Sequence, residues 1–113
     1  MFDKAISIIQ EFRNIPMYAA SLGYYYGKAG NMEEAQKILD DFWDRSKRGY
    51  FSPYFMAEVY NGLGDKDKVF ECLDRAYEVR DLIQFWIKVS PLFKNLHSDP
   101  RWTEQMKKRG LAD

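Results

Sequence analysis

Two stretches of the sequence carry the same pattern 34 residues apart. Tyr26 precedes Gly30 by four residues in the first stretch, and Tyr60 precedes Gly64 by four in the second. A spacing of 34 is typical of helix-turn-helix units that stack into an array. Because one such unit cannot bury its apolar face alone, the repeat predicts an all-α chain of successive antiparallel helix pairs.

Several further positions agree between the two copies. The first copy has Leu22, Gly23, Tyr26, Ala35 and Leu39 in the repeat positions, and the second has Met56, Ala57, Tyr60, Val69, Leu73 and Ala76. Over roughly residues 16 to 81 the chain resembles tetratricopeptide repeat (TPR) proteins. The resemblance implies a right-handed superhelix (α-α superhelix) of helix hairpins. The small residues Gly23 and Ala35 are expected to let the two backbones of the first hairpin approach closely.

Turn and capping residues divide the single domain, residues 1 to 113, into four segments. Apolar residues at helical spacing predict a lone N-terminal helix within residues 1 to 14. Pro16, the Gly30 turn and Gly49 predict a first hairpin over residues 16 to 48. Ser52 and the turn at Gly64 predict a second hairpin over residues 52 to 80. An irregular capping region is expected over residues 81 to 113.

The repeat is expected to stop near Asp81. A third copy would place Pro91 inside its first helix, where proline removes a hydrogen bond and clashes with the preceding turn. Short helices should instead cover the open end of the last pair, with Trp102 and Met106 facing the core. Such a cap needs a polar outer face, which is assigned to Lys107, Lys108 and Arg109.

The C-terminal part carries a second resemblance. Its motifs are the run from Leu73 to Asp81, Pro91-Leu92-Phe93 and Leu96-His97-Ser98-Asp99-Pro100-Arg101-Trp102. These look like the C-terminal ends of TPR regions in bacterial multidomain regulators. The resemblance implies a sensory or scaffolding module that is part of a larger regulatory protein.

Composition limits the classes of function. Seventeen basic residues balance seventeen acidic ones, whereas nucleic-acid-binding domains are usually basic, so no nucleic-acid partner is expected. No apolar run is long enough to span a bilayer, so no membrane partner is expected either. The single Cys72 cannot form an internal disulfide, and the N-terminus lacks the pattern of a secretory signal, so the cytoplasm is the expected location.

The residues that could do chemistry do not form a recognisable site. His97 stands beside helix-start residues, Cys72 has no second cysteine, and the Asp40 and Asp41 region has basic neighbours. No nucleophile, base and orienting group can be assembled, so no catalytic, metal or cofactor site is predicted. An enzyme remains a third alternative, based only on an aromatic groove and many carboxylates.

The predicted function is non-catalytic binding of a protein or peptide on the concave face. In the implied superhelix, the first helix of each hairpin lines that face with Met17, Ala20, Tyr24, Lys28, Phe51, Tyr54, Glu58 and Asn61. Aromatic side chains are favoured interface anchors. Alternatively, Phe51 and Tyr54 pack against the capping helices. A second function, homodimerisation, would use the N-terminal helix through Ile6, Ile9 and Phe12.

Overall fold

The computed structural model describes residues 2–9, 15–88 and 90–111, and its regular elements there are all helical. They are α1 (Phe2–Ile9), α2 (Pro16–Lys28), α3 (Met32–Arg48), α4 (Pro53–Leu63), α5 (Lys66–Glu78), a first 3₁₀ segment (Leu82–Lys88), a second 3₁₀ segment (Pro91–Leu96) and α6 (Pro100–Lys108). The predicted all-α class is confirmed. The helices of both hairpins lie within the predicted limits.

Capping residues recur at the same interval as the glycine turns. Asn31, Asp65 and Asp99 are 34 residues apart, and each precedes a helix whose backbone N–H groups donate to its side chain. Gly30 and Gly64 have φ of +88° and +81°, a left-handed conformation that glycine adopts at little cost. The local chemistry of the turn therefore fixes the start of α3, α5 and α6.

Consecutive helices pack in pairs around one core. The short links from α2 to α3 and from α4 to α5 make each pair antiparallel, and α2 also packs along α4. Equivalent positions of the two pairs are buried alike: Ala35 with Val69, Leu39 with Leu73, and Phe42 with Ala76. The two stretches thus form corresponding halves of the same core.

The closest backbone approach lies between α2 and α4. A Cβ atom on Gly27 would lie 2.4 Å from the carbonyl carbon of Gly62, and one on Gly62 would lie 2.4 Å from the carbonyl oxygen of Tyr24. A Cβ atom on Gly23 would meet Val59 of α4 at 2.8 Å and Ile38 of α3 only at 3.4 Å. The prediction that Gly23 serves the contact within the first hairpin is therefore corrected, because its tightest neighbour is α4.

Beyond Asp81 the chain continues as two 3₁₀ segments and α6. Asn61 pairs with Asn95, and Asp67 pairs with Arg101, in both cases across 34 residues. The second 3₁₀ segment and α6 thus lie one period after α4 and α5. Pro91 is accommodated because it stands at the start of the 3₁₀ segment, where Ser90 is the N-cap.

Arg109 is buried rather than part of a polar outer face. Only 8% of its surface is exposed. Its guanidinium donates to Gln84 Oε1 at 2.8 Å, Gln105 Oε1 at 2.7 Å and the Leu73 carbonyl oxygen at 2.7 Å. These bonds join α6 to α5 and to the first 3₁₀ segment, which explains why the side chain turns inward. Trp102 and Met106 are buried, as predicted.

Candidate functional site

A cavity of about 330 Å³ opens between α2, α4 and the two 3₁₀ segments. We call it the groove pocket. Its walls are mainly aromatic and apolar, with one carboxyl group: they comprise Met17, Tyr18, Ser21, Tyr25, Tyr54, Phe55, Glu58, Ile83, Trp86, Ser90, Pro91 and Leu92. Ligand sites commonly combine apolar walls with a few polar groups, and this volume lies at the lower end of their range of about 300 to 1,000 Å³.

Helix geometry places these side chains along one side of each helix. On α2, Met17, Ser21 and Tyr25 follow one another at intervals of four residues, and on α4 Tyr54 and Glu58 do the same. Pro16 and Pro53 stand in the first turns of the two helices, and the Ser52 hydroxyl accepts a hydrogen bond from the Tyr54 N–H at 3.2 Å. Defined helix starts thus fix where the two rows lie.

Glu58 is the most unusual group of the groove pocket. Its side chain is buried, with 5% exposed, and its Oε1 atom has no hydrogen-bond partner in the part of the chain that the structure describes. Burial raises the pKa of Glu58 to about 8, although the nearby Ser90 hydroxyl offsets part of that rise. The carboxyl group is therefore largely protonated at neutral pH when nothing pairs with it.

Tyr54 lies beside Glu58 and shares its environment. Its hydroxyl group is buried and has no hydrogen-bond partner in the described ranges. Burial, followed by the neighbouring Glu58 charge, raises the pKa of the Tyr54 phenol. The Ser90 hydroxyl acts on both groups and offsets part of the rise in their pKa values, while Tyr54 Oη and Glu58 Oε1 lack hydrogen bonds of good geometry among the described residues, which is uncommon in folded proteins.

Three of the predicted contact residues, Met17, Tyr54 and Glu58, do line the groove pocket. Tyr24 and Lys28 lie together elsewhere on α2, with the Lys28 ammonium 5.8 Å from the centre of the Tyr24 ring. Ala20 is fully buried. The predicted set is thus divided between the groove pocket, a separate surface of α2 and the core.

Phe51 and Asn61 do not lie where a concave face was expected. The Phe51 ring packs 4.6 Å from that of Phe42 on α3, so it faces the core. Asn61 is 2% exposed and its amide donates to the Leu92 carbonyl oxygen and to Asn95. The second 3₁₀ segment covers this end of α4, and this is why the expected placement of Asn61 must be corrected.

Tyr54 does pack against the capping region, as the alternative interpretation expected. The Tyr54 ring lies 5.6 Å from the Phe93 ring in an edge-on arrangement. Packing and pocket lining are compatible here, because one edge of the ring touches Phe93 while the side chain still borders the cavity. The alternative does not apply to Phe51, whose partners are Phe42 and Phe55.

Sequence reasoning missed nine of the twelve residues that line the pocket in the described part of the chain. The missed residues are Tyr18, Ser21, Tyr25, Phe55, Ile83, Trp86, Ser90, Pro91 and Leu92. On α2, the four-residue spacing of Met17, Ser21 and Tyr25 was an available signal. The first 3₁₀ segment gave no comparable signal, because the position of Ile83 and Trp86 at the pocket is not encoded in a helical period.

The structure describes only some of the residues considered for self-association. Ile6 is half-buried on α1, which packs against α2. Phe12 and the side chain of Ile9 lie outside the described part of the chain. Ile8 and Ile15 are 58% and 48% exposed. The self-association hypothesis therefore stays a prediction.

The residues considered for chemistry have ordinary surroundings. The His97 ring stacks on that of Trp102 at 4.7 Å. Cys72 is buried, which raises the pKa of its thiol to about 12. Asp41 pairs with Arg45 at 2.9 Å and Asp40 accepts a hydrogen bond from Gln36 at 2.9 Å. Among the helices described, none is both long and apolar enough to cross a bilayer.

Comparisons with protein-family models, with curated proteins and with solved structures find no match to this chain.

Proposed function

We propose that the chain is a TPR-type module that binds a protein or peptide without catalysing a reaction. The observation that carries this proposal is the groove pocket between α2 and α4, the first helices of two successive pairs. The proposed architecture is the right-handed superhelix, which the 34-residue recurrence of caps and of buried positions supports. A cytoplasmic location and a place in a larger regulatory protein are part of the same proposal.

The side chains at the groove pocket suit a peptide better than a chemical reaction. Met17 and Tyr18 are 42% and 41% exposed, and Trp86 is 55% exposed, so large apolar groups border the opening. Methionine, tyrosine and tryptophan are enriched at protein interfaces. Lone exposed apolar residues need no explanation, but a cluster around a cavity indicates a binding site.

A peptide-display experiment tests the proposal. The chain is immobilised and panned against a random library of displayed peptides, and enriched peptides are then measured against two variants. Met17→Asp places a charge at the groove pocket. Met32→Asp is the matched control, because Met32 also lies in the first turn of a helix and is 49% exposed, but it does not line this pocket.

The proposal expects Met17→Asp to weaken binding of the enriched peptides at least about tenfold, or about 1.4 kcal/mol, with Met32→Asp unchanged. Failure to enrich any peptide, or equal loss in both variants, would contradict it.

Light scattering on the same samples tests the homodimer alternative through Ile6, Ile9 and Phe12. A dimer that persists in Met17→Asp and disappears in Ile6→Asp would favour that alternative.

A further inference from the structure

Glu58 presents a carboxyl group in the wall of the groove pocket, and the described residues of that wall include no positively charged side chain. Its side chain is 5% exposed, and its Oε1 atom has no partner among the residues described. Burying an ionised carboxylate without a partner costs much free energy, which is why buried charges are normally paired. The group is therefore suited to a cation supplied from outside.

The described wall of the groove pocket does not supply that cation. The described residues that line the pocket include no lysine or arginine. Arg109 acts electrostatically on Tyr54, but its guanidinium is already bonded to Gln84, Gln105 and the Leu73 carbonyl oxygen. It is held as a link between helices and is not available as a counter-ion for Glu58.

The rest of the wall is suited to an alkyl chain that ends in a positive charge. The rings of Tyr18, Tyr25, Tyr54, Phe55 and Trp86 border the same cavity. Aromatic faces attract ammonium and guanidinium groups and also pack well against methylene groups. A volume of about 330 Å³ accommodates a single long side chain better than a large ligand.

We propose that the groove pocket binds the ammonium group of a lysine side chain in the partner peptide, with Glu58 as its counter-charge. The inference deepens the proposed peptide-binding function and rests on it. The alkyl part of the lysine packs between the aromatic walls, and the ammonium group lies toward α4. Oε1 itself is covered in this structure, so the attraction acts through the charge of the whole carboxylate.

Binding of this kind is coupled to proton release from Glu58. Because burial raises the pKa of this carboxyl group to about 8, roughly a tenth of it is ionised at pH 7 and roughly nine tenths at pH 9. A lysine ammonium, with a reference pKa of about 10.4, stays charged over that range. The other titratable groups in the wall are the phenols of Tyr18, Tyr25 and Tyr54, with Ser90 as the neighbouring hydroxyl.

The probe is lysine amide acetylated at its α-amino nitrogen, so that the side-chain ammonium group is free. The control is norleucine amide acetylated at the same position, which lacks the ammonium group. Titrations followed by the indole N–H signal of Trp86 measure both affinities on the unmodified chain. The lysine probe should bind at least about tenfold more tightly than the norleucine probe at pH 9, and its affinity should rise about tenfold from pH 7 to pH 9. The norleucine probe should show no such rise.

Glu58→Gln, which keeps the side-chain shape, should remove both the preference for lysine and the pH dependence. Glu104→Gln, on the exposed face of α6, should change neither. Equal affinity for the two probes, or a lysine preference that survives in Glu58→Gln, would overturn the inference. Tighter binding of choline than of the lysine probe would overturn the claim that the bound ammonium group belongs to a lysine side chain of a peptide. If displayed peptides still depend on Met17 while the lysine preference is absent, the proposed function stands and only this inference fails.

Discussion

The side-chain amides of Asn61 and Asn95 donate one hydrogen bond to each other, at 3.0 and 3.1 Å, across 34 residues of sequence. Asn61 also donates to the carbonyl oxygen of Leu92. Three hydrogen bonds of one buried amide thus join α4 to the second 3₁₀ segment. This segment, in turn, contributes Pro91 and Leu92 to the groove pocket.

Replacing Asn61 by alanine should therefore destabilise the fold. The substitution leaves the Leu92 carbonyl oxygen without this donor inside the protein, at an expected cost of about 2 kcal/mol. Urea unfolding followed by circular dichroism measures the change. Asn95→Ala is the comparison, because it removes the two bonds between Asn61 and Asn95 but keeps the bond from Asn61 to the Leu92 carbonyl oxygen, so its effect should be smaller than that of Asn61→Ala. Equal effects of the two substitutions would contradict the assigned role of Asn61.

The contact of α2 with α4 should not tolerate a methyl group at Gly27. A Cβ atom there would lie 2.4 Å from backbone atoms of Gly62, which cannot move aside as a side chain could. Gly27→Ala is expected to lower the free energy of unfolding by about 3 kcal/mol. In contrast, a Cβ atom on Gly49 would have no atom within 4 Å. Gly49→Ala should therefore change the free energy of unfolding by less than about 0.5 kcal/mol. A Gly27→Ala protein as stable as the unmodified chain would show that the two helices are further apart.

Glu58 should make stability fall as the pH rises. Its pKa increases from 4.5 to about 8 on folding because the carboxyl group is buried, so the folded state holds a proton that the unfolded state has released. The stabilising contribution is complete below pH 4.5 and declines between pH 4.5 and about 8. Over the whole window the loss is of the order of a few kcal/mol.

Unfolding of Glu58→Gln in denaturant, measured at pH 6 and pH 9, tests this linkage. The neutral amide cannot ionise, so the variant should lose much less stability between these pH values than the unmodified chain does. Glu104→Gln provides the control, since Glu104 is exposed on α6. The account would be wrong if Glu58→Gln retained the full pH dependence of stability.

Arg109 should be needed to hold α6 in place. Arg109→Met keeps much of the apolar stem but removes the donors to Gln84, Gln105 and the Leu73 carbonyl oxygen. The loss of these charge-assisted bonds is expected to cost about 3 kcal/mol. Lys108→Met removes a partly exposed ion pair with Asp74 and the contact of the ammonium group with the Tyr77 ring, and it should cost less than about 1 kcal/mol. Denaturant unfolding measures the loss of stability in both variants. Equal losses would contradict the role assigned to the buried Arg109.

The sequence was sufficient to predict most helix boundaries, because short-range chemistry determines them. Pro16, Gly30 and Gly64 act on their own turns, and their effect does not depend on distant residues. The 34-residue spacing predicted the two helix pairs for the same reason: equal patterns bury equal positions. Asn31 shows the agreement most directly, since its side chain accepts from the Glu34 N–H at 3.3 Å.

The arrangement after Asp81 could not be predicted in the same way. Pro91 indicated a break in the helical repeat, but it did not indicate that the segment beginning there would place Asn95 beside Asn61. Asn61 and Arg109 were placed on the surface because polar residues usually lie there, whereas both are fully engaged inside the protein. Which polar residue becomes buried depends on long-range packing, and a single sequence carries no direct signal of it.

The groove pocket was predicted only in part for a related reason. The repeat pattern gave the helices that border it, and so found Met17, Tyr54 and Glu58. It did not give the wall formed by Ile83 and Trp86, because the path of the chain after α5 follows from long-range packing. It also did not reveal that Glu58 would be buried with no hydrogen bond to its Oε1 atom among the described residues, because that depends on what surrounds the side chain in space.

An amide-resolved NMR titration of the isotope-labelled chain with one enriched display peptide tests the central claim most directly. The account predicts that the largest shifts occur at residues that line the groove pocket, including Met17, Tyr54 and the indole N–H of Trp86. Signals of Met32 and Trp43 on α3, which does not border the pocket, should change little. Shifts that centre on α3 and leave the groove pocket unchanged would contradict it.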